Sequence, residues 1–469
     1  MISTIEKILY PLVVQFNEYL SNYILVFLLF GIGLWYSFKT KFVQVRCFKE
    51  GLRKMLPDIH FDKEHHGNMT SFQALATAVA AQVGTGNIVG ASGAILIGGP
   101  GAIFWMWVIA FFGMATIYAE ATLAVKTRKI DENGNIKGGP VYYINKAFKG
   151  KLGRFRARFF AVAIILALGF MGCMVQSNSV ANCMQTAFGI QPWVMGVILV
   201  VLSGTIFIGG VKRLAAVTEK LVPIMALFFI IGCLIIFVTR INYIPETFGL
   251  IFKYAFQPQA ILGGSFWLAF KTALSQGAKR GLFSNEAGMG STPHAHALAK
   301  VKEPHDQGVV AMMGVFVDTF IILTLTAIVV ISTLYTNGGV LANGYTGSIV
   351  DVLNKTNLVQ TAFRSVFGET IGAMFVAICL LFFAFSTILS WNLFGKINVI
   401  YLFGKKNPRF AKLVYTILAL IFIMVGTLIS SDFVWELTDM FNNLMVLPNV
   451  LSLFALTGLV LSMTKFKNN

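Results

Sequence analysis

Apolar stretches of about 20 residues recur along almost the whole chain, and short polar loops separate them. A helix of that length crosses the ~30 Å hydrocarbon core of a bilayer. The pattern therefore predicts an all-α polytopic membrane protein of about eleven transmembrane helices, with no loop long enough for a separate soluble domain. The predicted helices are 19–38, 71–98, 101–125, 159–188, 192–210, 221–239, 262–298, 308–335, 370–394, 411–430 and 433–463.

Glycine-rich stretches interrupt two of these predicted helices near their centres. The first is AQVGTGNIVG (81–90), and the second is SQGAKRGLFSNEAGMGST (275–292). Irregular backbone at membrane depth persists only where it is buried in protein or lines a cavity. Its carbonyl groups suit a cation, and the N–H groups that begin the following half-helix suit an anion. Taken alone, the first break is equally typical of a close glycine-mediated contact between helices.

The positions of the two breaks favour a transporter. The first lies in the second predicted helix and the second in the seventh, so the two halves of the chain have opposite orientations. Paired interrupted helices in inverted halves are typical of secondary transporters whose site lies at the membrane midplane. The pattern predicts an extra N-terminal helix with a basic loop at 1–70, inverted five-helix repeats at 71–240 and 241–463, and a short tail at 464–469.

The composition agrees with a membrane protein, and the distribution of charge indicates its topology. Of the 469 residues, 56% are hydrophobic and only 12% are charged. The net charge is +17, but the basic residues concentrate in alternate predicted loops, such as 39–70 and 126–158. The positive-inside rule makes these loops cytoplasmic, with the N-terminus outside and the C-terminus cytoplasmic. Because one topology in the plasma membrane explains the charge excess, nucleic acid is not expected as a partner.

Two other classes of function are less consistent with the sequence. An intramembrane enzyme would need a nucleophile with a base or a metal cluster at membrane depth, and the chain has neither a GxSxG nor an HExxH motif. A channel would need a continuous polar pore, whereas the polar residues cluster at the two breaks. The expected partners are a small solute, a cation and membrane lipid.

Several long motifs, spread over most of the chain, carry a specific resemblance. They are TAVAAQVGTGNIVGASGAILIGGPGAIFWMW (77–107), YAEATLAVKTR (118–128), GGPVYYI (138–144), KRGLFSNEAGMGSTPHAHA (279–297) and FSTILSWNLFG (385–395). With these motifs the chain resembles the alanine-or-glycine:cation symporter family. The resemblance implies a LeuT-like fold with one extra N-terminal helix. It also implies Na⁺-driven import of alanine, glycine or a similarly small neutral amino acid. A proton-coupled carrier or an exchanger of the same fold stays open.

The resemblance implies a substrate pocket around the first break. Thr85, Gly86 and Asn87 are expected to meet the carboxylate and amino groups of the amino acid. Gln176 is at membrane depth, where an unpaired amide is costly, so we expect it to bind the amino group. A hydrogen bond between helices is the alternative for this amide. The expected walls of the pocket are Phe283, Thr387 and Trp391.

The resemblance also implies a Na⁺ site beside this pocket. Its expected ligands are the main-chain carbonyls of Ala80 and Val83 and the hydroxyl oxygens of Ser386 and Thr387. The alternative for the two hydroxyls is hydrogen bonding to carbonyls of their own helix.

Charged residues at membrane depth need partners, because each is costly to insert. Asp318 is predicted to pair with a basic residue, and a proton or cation site is the alternative. The candidate partners are Lys271, Lys279 and Arg280. Pairing is expected for Glu120 and Glu286 as well. Lys279 and Arg280 are predicted to lie toward the cytoplasmic half of their helix, at an inner gate.

Overall fold

The structure is a computed structural model that describes residues 2–55, 69–130, 136–257, 265–342, 353–404 and 407–466. Much of the predicted basic loop 39–70, the first residues of the predicted helix 262–298 and the end of the predicted tail lie outside these residues. The described residues are almost entirely helical. One small hairpin pairs β1 (Lys129–Ile130) with β2 (Ile136–Lys137).

Within the described residues, six helices are long and apolar enough to cross a membrane, and two bent helix pairs raise this number to eight. The six are α6 (Ala102–Thr127), α8 (Gly150–Phe188), α10 (Gly210–Thr239), α14 (Pro304–Leu334), α16 (Glu369–Phe403) and α17 (Pro408–Gly426). The bent pairs are α4 (Ser71–Gln82) with α5 (Gly86–Gly98), and α18 (Ser431–Ala455) with α19 (Thr457–Met463). The predicted number of eleven transmembrane helices stays a prediction, because the helices in the other three predicted segments (19–38, 192–210 and 262–298) are shorter or more polar. The inverted repeat also stays a prediction.

The N-terminal helix, α1, is about twice as long as predicted. It runs without interruption over residues 2–39, whereas the prediction began at residue 19. Hydropathy missed its first half because polar residues interrupt the apolar pattern. One of them, Asn17, contacts α18: it donates hydrogen bonds to the main-chain carbonyl (2.8 Å) and a carboxylate oxygen (2.6 Å) of Glu436.

The first break lies where the glycines predicted it. Helix α4 begins with a capping box in which the side chains of Thr70 and Gln73 each accept the other's main-chain N–H. It ends at Gln82, and α5 starts at Gly86 with its axis bent by 44°. The three intervening residues are Val83, Gly84 and Thr85, all buried in protein. This matches the requirement that irregular backbone at membrane depth be covered.

The second break begins later than the sequence indicated. Helix α12 (Phe266–Asn285) includes Lys279 and Arg280, which the prediction placed within the break. The chain leaves the helix at Glu286, whose φ is +57°, and Gly288 (+91°) and Gly290 (+79°) continue the turn. Glycine suits these two positions because a positive φ is costly for other residues. The short helix α13 (Pro293–His296) follows.

The loops contain helices that hydropathy did not predict, because they are short or amphipathic. They are α2 (Val43–Arg46), α3 (Phe48–Met55), α7 (Pro140–Ala147), α11 (Ile244–Phe256) and α15 (Leu358–Phe367). One helix with a membrane-spanning profile, α9 (Pro192–Ile208), falls just short of the length needed. The two breaks and the residues next to them hydrogen-bond to α6, α8, α14 and α16.

Candidate functional site

The first break packs directly against two of the predicted substrate residues. The side-chain oxygen of Gln176, on α8, accepts the main-chain N–H of Thr85 at 3.2 Å. Gly84 leaves no room for a side chain: a Cβ there would overlap the hydroxyl of Thr387, on α16, and lie 3.3 Å from the Gln176 oxygen. The break, α8 and α16 therefore meet at one point.

The last turn of α12, just before the second break, forms the opposite side of the same region. A Cβ on Gly86 would lie 2.9 Å from Cα of Ser284 and 3.2 Å from the ring of Phe283, both on α12. The rings of Phe283 and Trp391 meet edge to face, with centroids 5.8 Å apart. Trp435, on α18, extends this aromatic wall at 4.7 Å from Phe283. The sequence analysis did not single out Trp435, which lies outside the quoted motifs, or Ser284, which lies within the second glycine-rich stretch but was given no role.

Glu286 fixes the position of Trp391. Its buried carboxylate accepts the indole N–H at 2.5 Å, and its other oxygen accepts the hydroxyl of Ser291 at 2.5 Å. Among the described residues no basic side chain pairs with Glu286, so the prediction of an ion pair is wrong. Its left-handed backbone conformation at the end of α12 directs the carboxylate to the wall rather than to a cation.

The predicted cation ligands are partly brought together. The hydroxyl of Thr387 donates to the carbonyl of Ala80 at 2.8 Å, and the hydroxyl of Ser386 lies 3.5 Å from the same carbonyl. Both hydroxyls also bond to the carbonyl of Phe383 on their own helix, the predicted alternative. Val83 is buried at the end of α4, and no hydrogen bond among the described residues joins it to the two hydroxyls.

Three buried polar atoms at this meeting point have no hydrogen-bond partner among the described residues. They are the hydroxyl oxygens of Thr85 and Ser390 and the side-chain nitrogen of Gln176. A buried polar group without a partner costs about 1–3 kcal/mol. Such groups usually have an explanation, and a bound ligand is one. These unpaired atoms make the junction of the first break, α8 and α16 the candidate site for a small polar ligand.

Comparison with known proteins decides the family. The sequence pattern of the sodium:alanine symporter family matches residues 6–468. The chain belongs to this family.

Individual relatives cover nearly the whole symporter chain. The sodium/alanine symporter AgcS of Methanococcus maripaludis is 39% identical over 453 residues, which are 96% of each chain. An uncharacterized transporter of Haemophilus influenzae is 39% identical over 464 residues, 98% of this chain and 96% of that one. The probable sodium/glutamine symporter GlnT of Bacillus subtilis is 37% identical over 461 residues, 98% of this chain and 91% of that one.

Solved transporters share the fold of this symporter. A manganese transporter of Eremococcus coleocola superimposes with a TM-score of 0.52 at 14% identity, covering 88% of this chain and 86% of that one. The nucleobase-cation-symport-1 family transporter MHP1 gives 0.50 at 11% identity, covering 77% and 72%. At sequence identities this low, the two superpositions indicate a shared fold and carry no information about the substrate. Membership of this family and the long apolar helices indicate that the chain is a multi-pass membrane transporter. The family points away from an enzyme.

Asn87, a predicted substrate contact of the symporter, is fully engaged with protein. Its side-chain oxygen accepts the N–H of Gly84 at 3.1 Å. Its side-chain nitrogen donates to a carboxylate oxygen of Asp318 at 2.7 Å and to the main-chain carbonyl of Asp318 at 3.1 Å. Asn87 therefore ties the first break to α14.

Asp318 does not pair with the basic residues predicted for it. Lys279 and Arg280 instead reach Asp439 on α18, at 2.9 and 3.1 Å, and Lys279 also lies 3.8 Å from Glu436. These two residues precede the second break, because α12 continues past them to Asn285. Their position in the cytoplasmic half of the membrane, at an inner gate, stays a prediction.

Glu120, on α6, holds the second break rather than a basic residue. Its two carboxylate oxygens accept the main-chain N–H groups of Gly288 and Gly290, both at 3.0 Å. The amide of Asn449 donates to the same carboxylate at 2.6 Å and to the carbonyl of Gly288 at 2.8 Å. The predicted ion pair of Glu120 is wrong, because main-chain N–H groups that have left a helix supply the donors.

Proposed function

We propose that this chain is a Na⁺-coupled symporter that imports small neutral amino acids, alanine and glycine above all, by alternating access. One observation carries the proposal: Thr85 and Gln176 leave buried polar atoms without partners where an interrupted helix meets α8 and α16. The family and the names of its relatives, which include a sodium/alanine symporter, support the choice of solute and cation.

The proposed amino acid lies between the first break and the aromatic wall. Its carboxylate meets the start of α5, at Gly86 and the unpaired hydroxyl of Thr85, where the helix dipole favours an anion. The sequence assigned Gln176 to the amino group. Its hydrogen bonds favour the carboxylate instead, because its oxygen is occupied by Thr85 and its unpaired nitrogen can only donate.

Steric exclusion is the basis of the proposed preference for small side chains. Attraction to one additional methylene is worth only about 1–3 kcal/mol, so a pocket that rejects larger amino acids needs rigid walls. Phe283 and Trp391 supply such walls, and the Glu286 hydrogen bond holds the indole in place.

For the co-transported Na⁺ we propose the carbonyls of Ala80 and Val83 with the hydroxyls of Ser386 and Thr387. Hard cations prefer oxygen ligands, and three of these four residues already lie in contact. We also retain the predicted topology as part of the proposal: eleven transmembrane helices with an inverted repeat, the N-terminus outside and the C-terminus in the cytoplasm.

Uptake of radiolabelled L-alanine into proteoliposomes tests the proposed function. We expect an imposed Na⁺ gradient to drive accumulation, and an imposed H⁺ gradient without Na⁺ to drive none. Uptake driven by H⁺ alone would contradict the choice of cation. Absence of alanine and glycine uptake with both gradients would contradict the choice of solute.

Removing the Thr387 hydroxyl is expected to weaken both Na⁺ dependence and alanine uptake. Thr387→Ala deletes the hydroxyl that hydrogen-bonds to the carbonyl of Ala80. Loss of such a buried partner costs about 1–3 kcal/mol, which corresponds to a 5- to 150-fold rise in the Na⁺ concentration for half-maximal uptake. The matched control is Thr326→Ala, on α14, because this buried threonine bonds to the carbonyl of Ile322 in its own helix. If both variants have the wild-type Na⁺ dependence, the assigned cation site is wrong.

Releasing the indole of Trp391 is expected to relax selectivity. Glu286→Ala removes the acceptor of the indole N–H, whereas Glu286→Gln keeps an oxygen in that place. We expect Glu286→Ala to raise the KM for alanine about tenfold. An unpaired buried group costs about 1–3 kcal/mol, and a tenfold change corresponds to the lower part of this range. Competition by larger neutral amino acids should increase, and Glu286→Gln should restore most of the selectivity. Unchanged competition by larger amino acids in Glu286→Ala would show that Glu286 does not position the wall.

A further inference from the structure

A cysteine, a glutamate and a histidine lie together beside the first turn of α14, outside the proposed transport site. They are Cys47, just before α3, Glu50 on α3 and His305 on α14. The sulfur of Cys47, a carboxylate oxygen of Glu50 and a ring nitrogen of His305 all lie within 4.8 Å of one another. Cys47 and His305 are buried, whereas the side chain of Glu50 is 31% exposed. The partly exposed carboxylate leaves a route by which an ion enters the cluster.

Close packing between α3 and the first turns of α14 fixes this arrangement. Gly51 brings the two helices together, because a Cβ there would lie 2.7 Å from the carbonyl oxygen of Val309. The rings of Phe48 and Phe316 meet edge to face, with centroids 4.9 Å apart. The two acidic and thiol ligands of this segment are three residues apart, which is the spacing of neighbours on one helix face. Ligands on packed helices are held more precisely than ligands on loops.

The hydrogen bonds of His305 leave one of its ring nitrogens available as a ligand. The hydroxyl of Thr464 donates to the carbonyl of Val460 at 2.9 Å, so its oxygen accepts the hydroxyl hydrogen of Tyr118 at 3.2 Å. The oxygen of Tyr118 then accepts the N–H of Nδ1 of His305, 2.7 Å away. With its hydrogen on Nδ1, the neutral imidazole has a lone pair on Nε2. Histidines that bind a metal almost always donate their other N–H in this way.

The lone pair on Nε2 of His305 faces the carboxylate of Glu50. Nε2 lies 3.5 Å from Oε2, which is longer than the usual N–H···O distance of about 2.7–3.2 Å. Two ligand atoms of a tetrahedral zinc ion are about 3.3–3.8 Å apart, because the bonds to the ion are about 2.0–2.3 Å long. The other oxygen of Glu50 accepts from Lys54 at 2.7 Å. This bond orients the carboxylate and leaves Oε2 for an ion.

The charges around the cluster suit a divalent cation. Lys54 and Lys465 each pair with a further carboxylate, Asp306 at 2.6 Å and Glu303 at 2.7 Å respectively. The two ammonium groups are therefore matched without the carboxylate of Glu50. That carboxylate and a thiolate of the cluster cysteine then balance the two charges of the ion.

We propose that Cys47, Glu50 and His305 bind one divalent ion of the zinc class, with water as the fourth ligand. A thiolate, an imidazole nitrogen and a carboxylate oxygen are ligands that zinc prefers, and three protein ligands with one water form a common set. Binding releases the thiol proton to solvent. In the proposed topology this part of the chain is cytoplasmic, where thiols stay reduced. The ion joins α3 to α14 and, through Tyr118, to α6.

Titration of the purified, tag-free protein with Co²⁺ in metal-free and thiol-free buffer tests the site. Co²⁺ substitutes for zinc, and a thiolate ligand gives it a charge-transfer band in the near ultraviolet. We expect one Co²⁺ per chain with this band, and displacement by Zn²⁺. Cys47→Ser should abolish the band. His305→Gln should weaken binding by about 100-fold or more, because loss of even an outer partner costs about 10- to 100-fold.

Cys183→Ser is the matched control for the cysteine variant. This buried cysteine is on α8, and its thiol reaches the carbonyl of Thr356 instead of the cluster. The control should keep both the band and the stoichiometry of the wild type. A wild-type protein without the charge-transfer band, or a Cys47→Ser protein that retains it, would overturn the proposal.

Tyr118→Phe tests the assignment of Tyr118 as a positioning residue. The change keeps all three ligands and removes the acceptor of the His305 Nδ1–H. The affinity for Zn²⁺, measured by competition with a chelating dye, is expected to fall about tenfold. Unchanged affinity would show that Tyr118 does not set the tautomer of His305.

Zinc K-edge absorption of the wild-type protein keeps the test valid if the variants do not fold. We expect one sulfur neighbour at about 2.3 Å and about three nitrogen or oxygen neighbours at about 2.0–2.2 Å. A spectrum without a sulfur neighbour would overturn the site. These measurements need neither an amino acid nor a gradient. A chain that binds zinc in this way but takes up neither alanine nor glycine would therefore overturn the proposed function and leave the zinc site standing.

Discussion

Gly84→Ala is expected to reduce alanine uptake by about 100-fold or more while the protein still inserts and folds. A methyl group at residue 84 would overlap the hydroxyl of Thr387, so the first break and α16 must move apart. A displacement of about 1 Å at a binding site can cost 100-fold. The measurement is the initial rate of Na⁺-driven uptake per folded protein in proteoliposomes.

Gly90→Ala is the matched control for this effect. Gly90 is in the same interrupted helix, but a methyl group there would only touch the carbonyl of Thr85 and the ring of Trp435, both at 3.8 Å. Its uptake is expected to stay within a few-fold of the wild type. Equal losses in the two variants would show that helix flexibility, rather than the contact between Gly84 and Thr387, limits transport. Wild-type uptake by Gly84→Ala would remove the basis for the pocket.

Glu120→Ala is expected to cause the largest loss of stability among the variants considered. The change leaves the N–H groups of Gly288 and Gly290 and the amide of Asn449 without their acceptor. Each buried unpaired group costs about 1–3 kcal/mol, so a total of about 3 kcal/mol or more is expected. Thermal unfolding of the purified protein in detergent measures the effect as a lowered midpoint.

Two further variants show whether the acceptor itself is responsible. Glu120→Gln keeps one oxygen but turns an NH₂ group toward a main-chain N–H, so an intermediate loss is expected. Glu246→Gln changes an exposed carboxylate in the first turn of α11 and should leave the midpoint within the error of the wild type. If Glu120→Ala unfolds at the wild-type midpoint, water accepts the N–H groups of Gly288 and Gly290 in place of the carboxylate.

The sequence predicted the position of the first break well, for a physical reason that is local. Glycines and small polar residues inside an apolar stretch stand out against their surroundings, and α4 does end at Gln82. Hydropathy also located the long apolar helices, whose outward faces carry exposed apolar side chains, as α10 does. It missed the first half of α1, where Asn17 hydrogen-bonds to Glu436 and Asn443 of α18.

The partners of the buried acids were not predictable from sequence patterns. Ion pairs were expected because a charge in the membrane needs compensation, yet main-chain N–H groups satisfy Glu120 and an indole satisfies Glu286. Which donor reaches a carboxylate depends on the tertiary packing of helices that are distant in sequence. Trp435 was missed for the same reason, since an aromatic residue in an apolar helix carries no signal of its neighbours.

The predicted pocket residues meet in the structure, although their roles in transport stay predictions. Gln176 bonds to Thr85, Thr387 to Ala80, and Phe283 packs on Trp391. The resemblance of long motifs selected most of these residues, and the cost of an unpaired amide at membrane depth selected Gln176. The structure adds which atoms are already occupied, and this changes the proposed partner of Gln176 from the amino group to the carboxylate.

The most direct test of the central claim is an experimental structure determined with L-alanine and Na⁺. We predict density for the amino acid between the first break, Gln176 and Trp391. The alanine should provide hydrogen-bond partners for the Thr85 hydroxyl and the Gln176 side-chain nitrogen. Alanine bound elsewhere, with these two atoms still unpaired, would contradict the proposed site.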